Sequence, residues 1–492
     1  MQFTIYSFLF FSIVLLLFYT IRIEGRPYVL CLASILYPFV IDRNAGIAVL
    51  VFSLVVYFQS ILIGKTKSGK RKWLITFLSV FFVVAVWLFL KNVIWFNQVS
   101  ISNQTANNLL RNVIIPIGFS FYAFQAVGYL LDLYWDKTEL IMNPVLFYLY
   151  MAWFPRFISG PIMKASDFLK EIRKLYEVKL FEKDRIKVSC SYFLVGCFYK
   201  IMVADRLAPV VEKVFSGSNH YSRAILILAS VLYTMQIYCD FAGYSMYVIG
   251  ISNLFGIRLV ENFRAPYLSK NIKEFWDRWH ISLTKWFGEY LYIPLGGSRK
   301  GILRKYINIM IVFLVSGVWH GVGFSFIAWG MLHGIYNIIN DIFHRVDKRR
   351  QEILEQRNAE IHPLILTDII KKIGTWFLTF SSVSFAWIFF KSGSLSGAVR
   401  YIRQMFTNHC PDSFSQQLEK IGIMEYDYRV YVIMLLVVLG IDVIIDRIGL
   451  DKFVRKLPLV PWLIAVWLFV LGILVYGTYG PTVITDMIYM SF

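Results

Sequence analysis

Charge is scarce in this chain. Of 492 residues only 16% are Asp, Glu, Lys or Arg, whereas 58% are hydrophobic and 18% aromatic. Soluble domains carry about 25% charged residues. With a mean hydropathy of +0.59, the chain has too little polar surface to face water, which excludes an ordinary water-soluble enzyme. The abundance of aromatic and β-branched residues excludes disorder. Cysteine is sparse as well. Cys31, Cys190, Cys197, Cys239 and Cys410 form no CxxC pair and four of them sit in apolar segments, so neither a disulfide framework nor a zinc site is indicated. HExxH, P-loop and dinucleotide-glycine motifs are absent, and no metal site is expected. The sequence lacks the alternating strands of an outer-membrane barrel, a long hydrophilic stretch that would make a soluble domain, and the internal repeats common in transporters. What remains is an all-α polytopic membrane protein. Acid is in shorter supply than base, 31 against 50, for a net charge of +19. In a membrane protein that excess reads as cytoplasmic loops rather than nucleic-acid binding.

A crossing helix needs about 20 apolar residues. Runs at 3–21, 28–41, 45–63, 73–95, 113–135, 188–204, 224–250, 372–390, 431–446 and 458–477 meet or approach this, and 306–341 is long enough for two short crossings. The expectation is ten to twelve spans. The loop Lys65, Lys67, Lys70, Arg71, Lys72 has no acid and is assigned to the cytoplasm, the polar loop 96–112 to the outside, and the N-terminus to the outside. Segment 144–163 is apolar but interrupted by Pro155, Gly160 and Pro161, which predicts a re-entrant piece. In 164–187, basic residues surround Phe168, Ile172 and Leu175 at helical spacing, which predicts an amphipathic helix on the inner leaflet. The polar segment 392–430 is expected outside.

Ionisable groups inside apolar runs are costly and mark functional candidates. His320 stands in Gly317-Val318-Trp319-His320-Gly321, within the 306–341 region. His333 follows in Leu332-His333-Gly334. His280 lies in a basic, aromatic stretch, 257–305, that is neither a clean span nor an ordinary loop. Asp132, Asp205-Arg206 and Asp240 are further candidates, while His220, His344, His362 and His409 read as solvated loop residues. A histidine in a membrane interior with no metal motif points to acid–base work or proton handling.

At these residues the chain resembles the membrane-bound O-acyltransferases, within them the alginate O-acetyltransferase-like branch of bacteria. The matching blocks run in order. They are Pro116-Ile117-Gly118-Phe119-Ser120-Phe121-Tyr122; Phe154-Pro155-Arg156-Phe157-Ile158-Ser159-Gly160-Pro161; Tyr238-Cys239-Asp240-Phe241-Ala242-Gly243-Tyr244-Ser245; Asn262-Phe263-Arg264; Phe275-Trp276-Asp277-Arg278-Trp279-His280; Tyr290-Leu291-Tyr292-Ile293-Pro294-Leu295-Gly296-Gly297; the His320 and His333 motifs; and Ile488-Tyr489-Met490-Ser491-Phe492. Residues 113–341 carry the match most densely. Met246, Asp277 and Gly288-Glu289 depart from the pattern, where the branch tends to have Asp, Arg and Arg-Asp.

The resemblance implies one membrane domain over 1–492, with a catalytic core at 113–341 and a ring of helices around a central funnel. It implies His320 as the catalytic histidine and His280 as the second catalytic position. Trp319, Trp279, Arg278, Lys285, His333 and Asp240 are carried as donor- or substrate-binding candidates. His320 is expected to lie among Trp319, Phe313 and Phe324. No resident cofactor is implied. The acyl donor is a thioester, acetyl-CoA or an acyl carrier protein, arriving at the cytoplasmic face of a bacterial plasma membrane. The acyl group, most simply acetyl, would be passed to a cell-surface polysaccharide with an extracytoplasmic partner protein. D-Alanylation of teichoic acid and peptidoglycan O-acetylation are close alternatives. A proton-coupled transporter is the alternative of another class.

Overall fold

The structure is a computed structural model that describes residues 5–99, 118–321, 323–356, 365–425, 427–479 and 488. Among these, all regular structure is helical. In chain order α1 is Ile5–Thr20, α2 Arg26–Ile41, α3 Arg43–Lys65, α4 Lys70–Val99, α5 Phe119–Tyr134, α6 Pro144–Ala152, α7 Ala165–Arg173 and α8 Lys183–Cys197. A wide π-helical turn at Phe198–Ala204 leads into α9, Asp205–Ser216, and then α10, Arg223–Leu254. After these come α11 (Ile272–Arg278), α12 (Ile281–Phe287), α13 (Ile302–His320), α14 (Phe324–Gln356) and α15 (Ile365–Lys391). The remainder are α16 (Leu395–Thr407), α17 (Phe414–Lys420), α18 (Asp427–Arg447), α19 (Leu450–Lys456) and α20 (Leu459–Tyr476).

Eight helical stretches among the described residues are long and apolar enough to cross a membrane, and Ser7–Thr20 is a shorter apolar helix. Their outward faces are apolar: Phe77, Phe81, Leu463, Trp467 and Leu474 are exposed. Hydrocarbon is the solvent that suits such surfaces, and the chain is a multi-pass membrane protein. The predicted runs recur as α3, α4, α10, α15, α18 and α20, and 306–341 divides into α13 and α14. Most of the 96–112 loop, His362 and the terminal aromatic tail after Ile488 lie outside the described residues.

The chain forms two compact units. The first comprises residues 1–200, 240–261 and 450–492. At its centre runs the broken stretch foreseen at 144–163. Helix α6 ends at Ala152, and the backbone from Trp153 to Met163 is irregular yet almost wholly buried. Protein groups satisfy parts of it, as a water-free setting demands. Tyr244 Oη donates to the Pro155 carbonyl at 3.2 Å, and Trp153 Nε1 donates to Ser252 Oγ at 2.9 Å. Gly118, at φ +76°, brings the start of α5 so close that a Cβ there would stand 2.5 Å from the Ile158 carbonyl oxygen. The amphipathic helix foreseen at 164–187 is α7, but Phe168, Ile172 and Leu175 are buried within the protein, not turned to lipid. The first unit is closed by late-synthesised helices. Lys187 Nζ donates to the Leu457 carbonyl at 2.6 Å, and Trp462 Nε1 donates to Ser191 Oγ at 3.0 Å.

The second unit comprises residues 201–239 and 262–449. Its long helices surround the short pair α11 and α12. Segment 392–430 folds as α16 and α17, the latter begun by a capping box of Ser413 and Gln416. It is stapled to the turn before α10: Asn408 Nδ2 donates to the Ser218 and Tyr221 carbonyls, and Tyr401 stacks on Phe215 at 4.2 Å.

Candidate active site

The site grows from the contact of α13 with α14. Both carry the pattern Gly-x-x-His-Gly: Gly317 to Gly321, and Gly330 to Gly334. A Cβ on Gly317 would lie 2.5 Å from the Phe326 carbonyl oxygen, and one on Gly330 would lie 2.3 Å from that of Phe313. The helices therefore touch backbone to backbone, as small residues permit. This contact fixes the end of α13, and His320 is its last residue.

His320 is 2% exposed. Its ring sits 4.7 Å from Trp319, 4.9 Å from Trp329 and 5.2 Å from Phe390. The enclosure thus differs from the expected one. Phe324 is the first residue of α14 and points outward, 75% exposed, while Phe313 faces His333 at 6.2 Å. Trp329 and Phe390 take those places.

His280 occupies the break between α11 and α12 at φ +42°, ψ 54°. A left-handed backbone is unusual for histidine and persists only where its surroundings fix it. Asn262 does so. Its carbonyl accepts Ile281 N–H at 2.9 Å, and its side-chain Oδ1 accepts Ser282 Oγ–H at 2.6 Å. The break directs the His280 ring, 1% exposed, toward Trp319 at 6.2 Å. The Trp319 indole thus neighbours both histidines.

His333 is fully buried. Trp276 Nε1–H donates to its Nδ1 at 3.3 Å. An indole can only donate, so Nδ1 is the acceptor and the neutral ring carries its proton on Nε2. Trp279, 1% exposed, wedges between Phe275 at 5.5 Å and Trp387 at 5.1 Å, a packing role. Arg278 is held by Glu274 at 2.7 Å and Asp446 at 2.6 Å, so two carboxylates already take its charge. Lys285, on α12, is exposed and forms no ion pair among the described residues. Lys270, Lys273, Arg299 and Lys300 are also exposed. Asp240 belongs to the first unit, where its carboxylate accepts Lys200 Nζ–H and Ile488 N–H, each at 2.7 Å.

Of the other histidines, His220 and His409 are exposed as expected, and His409 lies 2.6 Å from Arg223. His344 is exposed on α14, not in a loop. Phe390 carries no chemical signature in the sequence, and Asn262 shows there only as part of the block Asn262-Phe263-Arg264, with no role attached. Asp442, which accepts Tyr238 Oη–H at 2.7 Å, was missed. It interrupts the apolar run 431–446, the same signal that singled out Asp240.

The arrangement offers an imidazole with a second imidazole in the same aromatic surroundings, in a setting that excludes water. Such a pair suits proton transfer coupled to charge development on an oxygen.

Residues 136–346 match the model of the MBOAT, membrane-bound O-acyltransferase, family. A probable alginate O-acetylase of Pseudomonas putida is 34% identical over 299 residues, 61% of this chain and 57% of that protein. The chain thus spans little more than half the length of that relative. A peptidoglycan O-acetyltransferase of Helicobacter pylori is 30% identical over 382 residues, 71% of this chain and 68% of the relative. A teichoic acid D-alanyltransferase of Streptococcus thermophilus is 29% identical over 294 residues, 57% of this chain and 69% of the relative. Together with the helical membrane architecture, these matches place the chain in the membrane-bound O-acyltransferase family.

Proposed function

We propose that the protein is an O-acyltransferase of a bacterial plasma membrane. In this reading it takes an acetyl group from a cytoplasmic thioester, acetyl-CoA or an acyl carrier protein, and delivers it for O-acetylation of a cell-surface polysaccharide, with an extracytoplasmic partner completing the transfer. The observation that carries the reading is His320, held at the end of α13 inside an aromatic enclosure whose Trp319 also neighbours His280.

A hydroxyl is a poor nucleophile at neutral pH. In the proposed step the acceptor oxygen attacks the thioester carbonyl while His320 accepts its proton. The carbonyl π electrons move to oxygen, and His280 is the candidate donor to that oxyanion. Collapse expels the thiolate, which takes the proton back from His320. The products are an ester and a thiol. Imidazole, with an ordinary pKa near about 6.5, suits both transfers. Lys285, Lys270, Lys273, Arg299 and Lys300 are exposed cations available to a phosphate-bearing donor. Arg278 fits that role less well, since its charge is already matched.

The test is thiol release by the full chain in lipid nanodiscs, offered acetyl-CoA, an acetylated carrier protein or a D-alanylated carrier protein. Release from an acetyl donor that is lost in His320→Ala supports the reading. Preference for the D-alanyl donor would redirect it to teichoic acid. Turnover untouched by His320→Ala would remove the mechanism, and proton flux without any acyl donor would favour a transporter.

A further inference from the structure

The irregular stretch of the first unit holds a charge that its surroundings do not balance. Arg156 is 6% exposed, and it is engaged by few partners. Nη2 donates to the Tyr150 carbonyl, which Gln125 Nε2 also approaches. The guanidinium lies over the Phe168 ring at 4.8 Å and near that of Tyr150 at 5.9 Å. Nη1 is buried and has no hydrogen-bond partner, and no carboxylate pairs with Arg156 among the described residues. Aromatic faces attract a guanidinium but offset only part of the cost of taking it out of water. A buried cation of this kind calls for an anion.

There is a space for one. Arg156 lines a cleft with Gln125, Tyr122, Trp153, Gly160 and Ile162. The cleft encloses a cavity of about 20 Å³. That is room for a water or for the leading oxygen atoms of an anion. The backbone is built around the arginine: a Cβ on Gly160 would fall 2.1 Å from Arg156 Cβ, so only glycine lets the chain fold back here.

We propose that this cleft is an oxyanion site in which the free edge of Arg156 binds a phosphate group. Guanidinium is the side chain best matched to phosphate in a dry setting. Two sources offer that chemistry in a membrane protein, a lipid head group and free phosphate, and the probes separate them. Cryo-EM maps of the full chain would be recorded in phosphatidylglycerol nanodiscs, and in phosphatidylcholine nanodiscs with and without added inorganic phosphate. The expected result is tetrahedral density within hydrogen-bonding distance of Nη1. Density that continues into acyl chains identifies lipid, and density only with added phosphate identifies the free anion. Native mass spectrometry should show the matching ligand retained by the wild type, held about tenfold more weakly by Arg156→Lys, and lost from Arg156→Gln. A lone water or an empty cleft in all maps of the wild type overturns the proposal, as does equal retention by Arg156→Gln. Should Arg156→Gln not fold, the wild-type maps and Arg156→Lys decide alone.

Discussion

The contact between α13 and α14 makes the most demanding prediction. Gly330→Ala adds one methyl group where a Cβ would stand 2.3 Å from the Phe313 carbonyl oxygen. Helical backbone cannot yield as a side-chain tip does. The two helices must part by about 1 Å to restore an ordinary contact, and overpacking of this sort costs about 1–3 kcal/mol of stability. His320 lies one turn beyond Gly317, which faces the same contact, so the displacement reaches the proposed base. A misplacement of about 1 Å lowers turnover about 100-fold, equivalent to about 2.7 kcal/mol of barrier. Gly374→Ala is the control. Gly374 lies in α15 with no atom within 4 Å of a built Cβ, and helix-interior Ala is preferred over Gly by about 0.5–1 kcal/mol. The assay is kcat/KM for thiol release, with thermal unfolding measured on the same samples. If Gly330→Ala turns over within twofold of wild type, or if Gly374→Ala loses as much, the Gly-x-x-His-Gly contact does not position the base.

Three other outcomes are expected. His280→Asn should fold with little change, because Asn accepts left-handed backbone, whereas His280→Val should lose about 1–2 kcal/mol; both should lose turnover, and melting curves with thiol release check this. Asn262→Leu removes the acceptor that Asn262 Oδ1 offers the buried Ser282 hydroxyl and should cost about 1–3 kcal/mol along with a fall in kcat; unchanged unfolding would show that the contact is dispensable. Lys285→Glu should raise KM for a CoA thioester and flatten its salt dependence, while Arg278→Gln, which breaks its pairing with Asp446, should lower the melting temperature and spare KM; the opposite pattern would exchange their roles.

The sequence makes the helical frame legible because continuous apolar runs have few alternatives. It also shows the broken stretch, since Pro155, Gly160 and Pro161 cannot continue a helix. His320 and His280 are visible because polar groups in apolar surroundings stand out. What the sequence hides is which distant residue supplies a wall or a counter-charge. Phe324 is near His320 in the chain, but it faces outward at the start of α14, and Phe390 arrives from α15. Arg278 reads as a free cation until Asp446, 168 residues on, is brought to it. The apolar face of α7 has the same periodicity whether it meets lipid or protein, and only packing shows that Phe168 lies beneath Arg156.

The first unit is assembled from early and late parts of the chain, and that has a consequence for biosynthesis. Lys187 and its acceptor at Leu457 are 270 residues apart. At about 5–20 residues per second, translation takes about 14–54 s to bring them together. Throughout that interval α8 waits in the bilayer with its lysine and with Ser191 lacking their final partners. Completion of this unit therefore lags the synthesis of its earliest helices, and loss of α19 and α20 should leave a chain that quality-control proteases recognise.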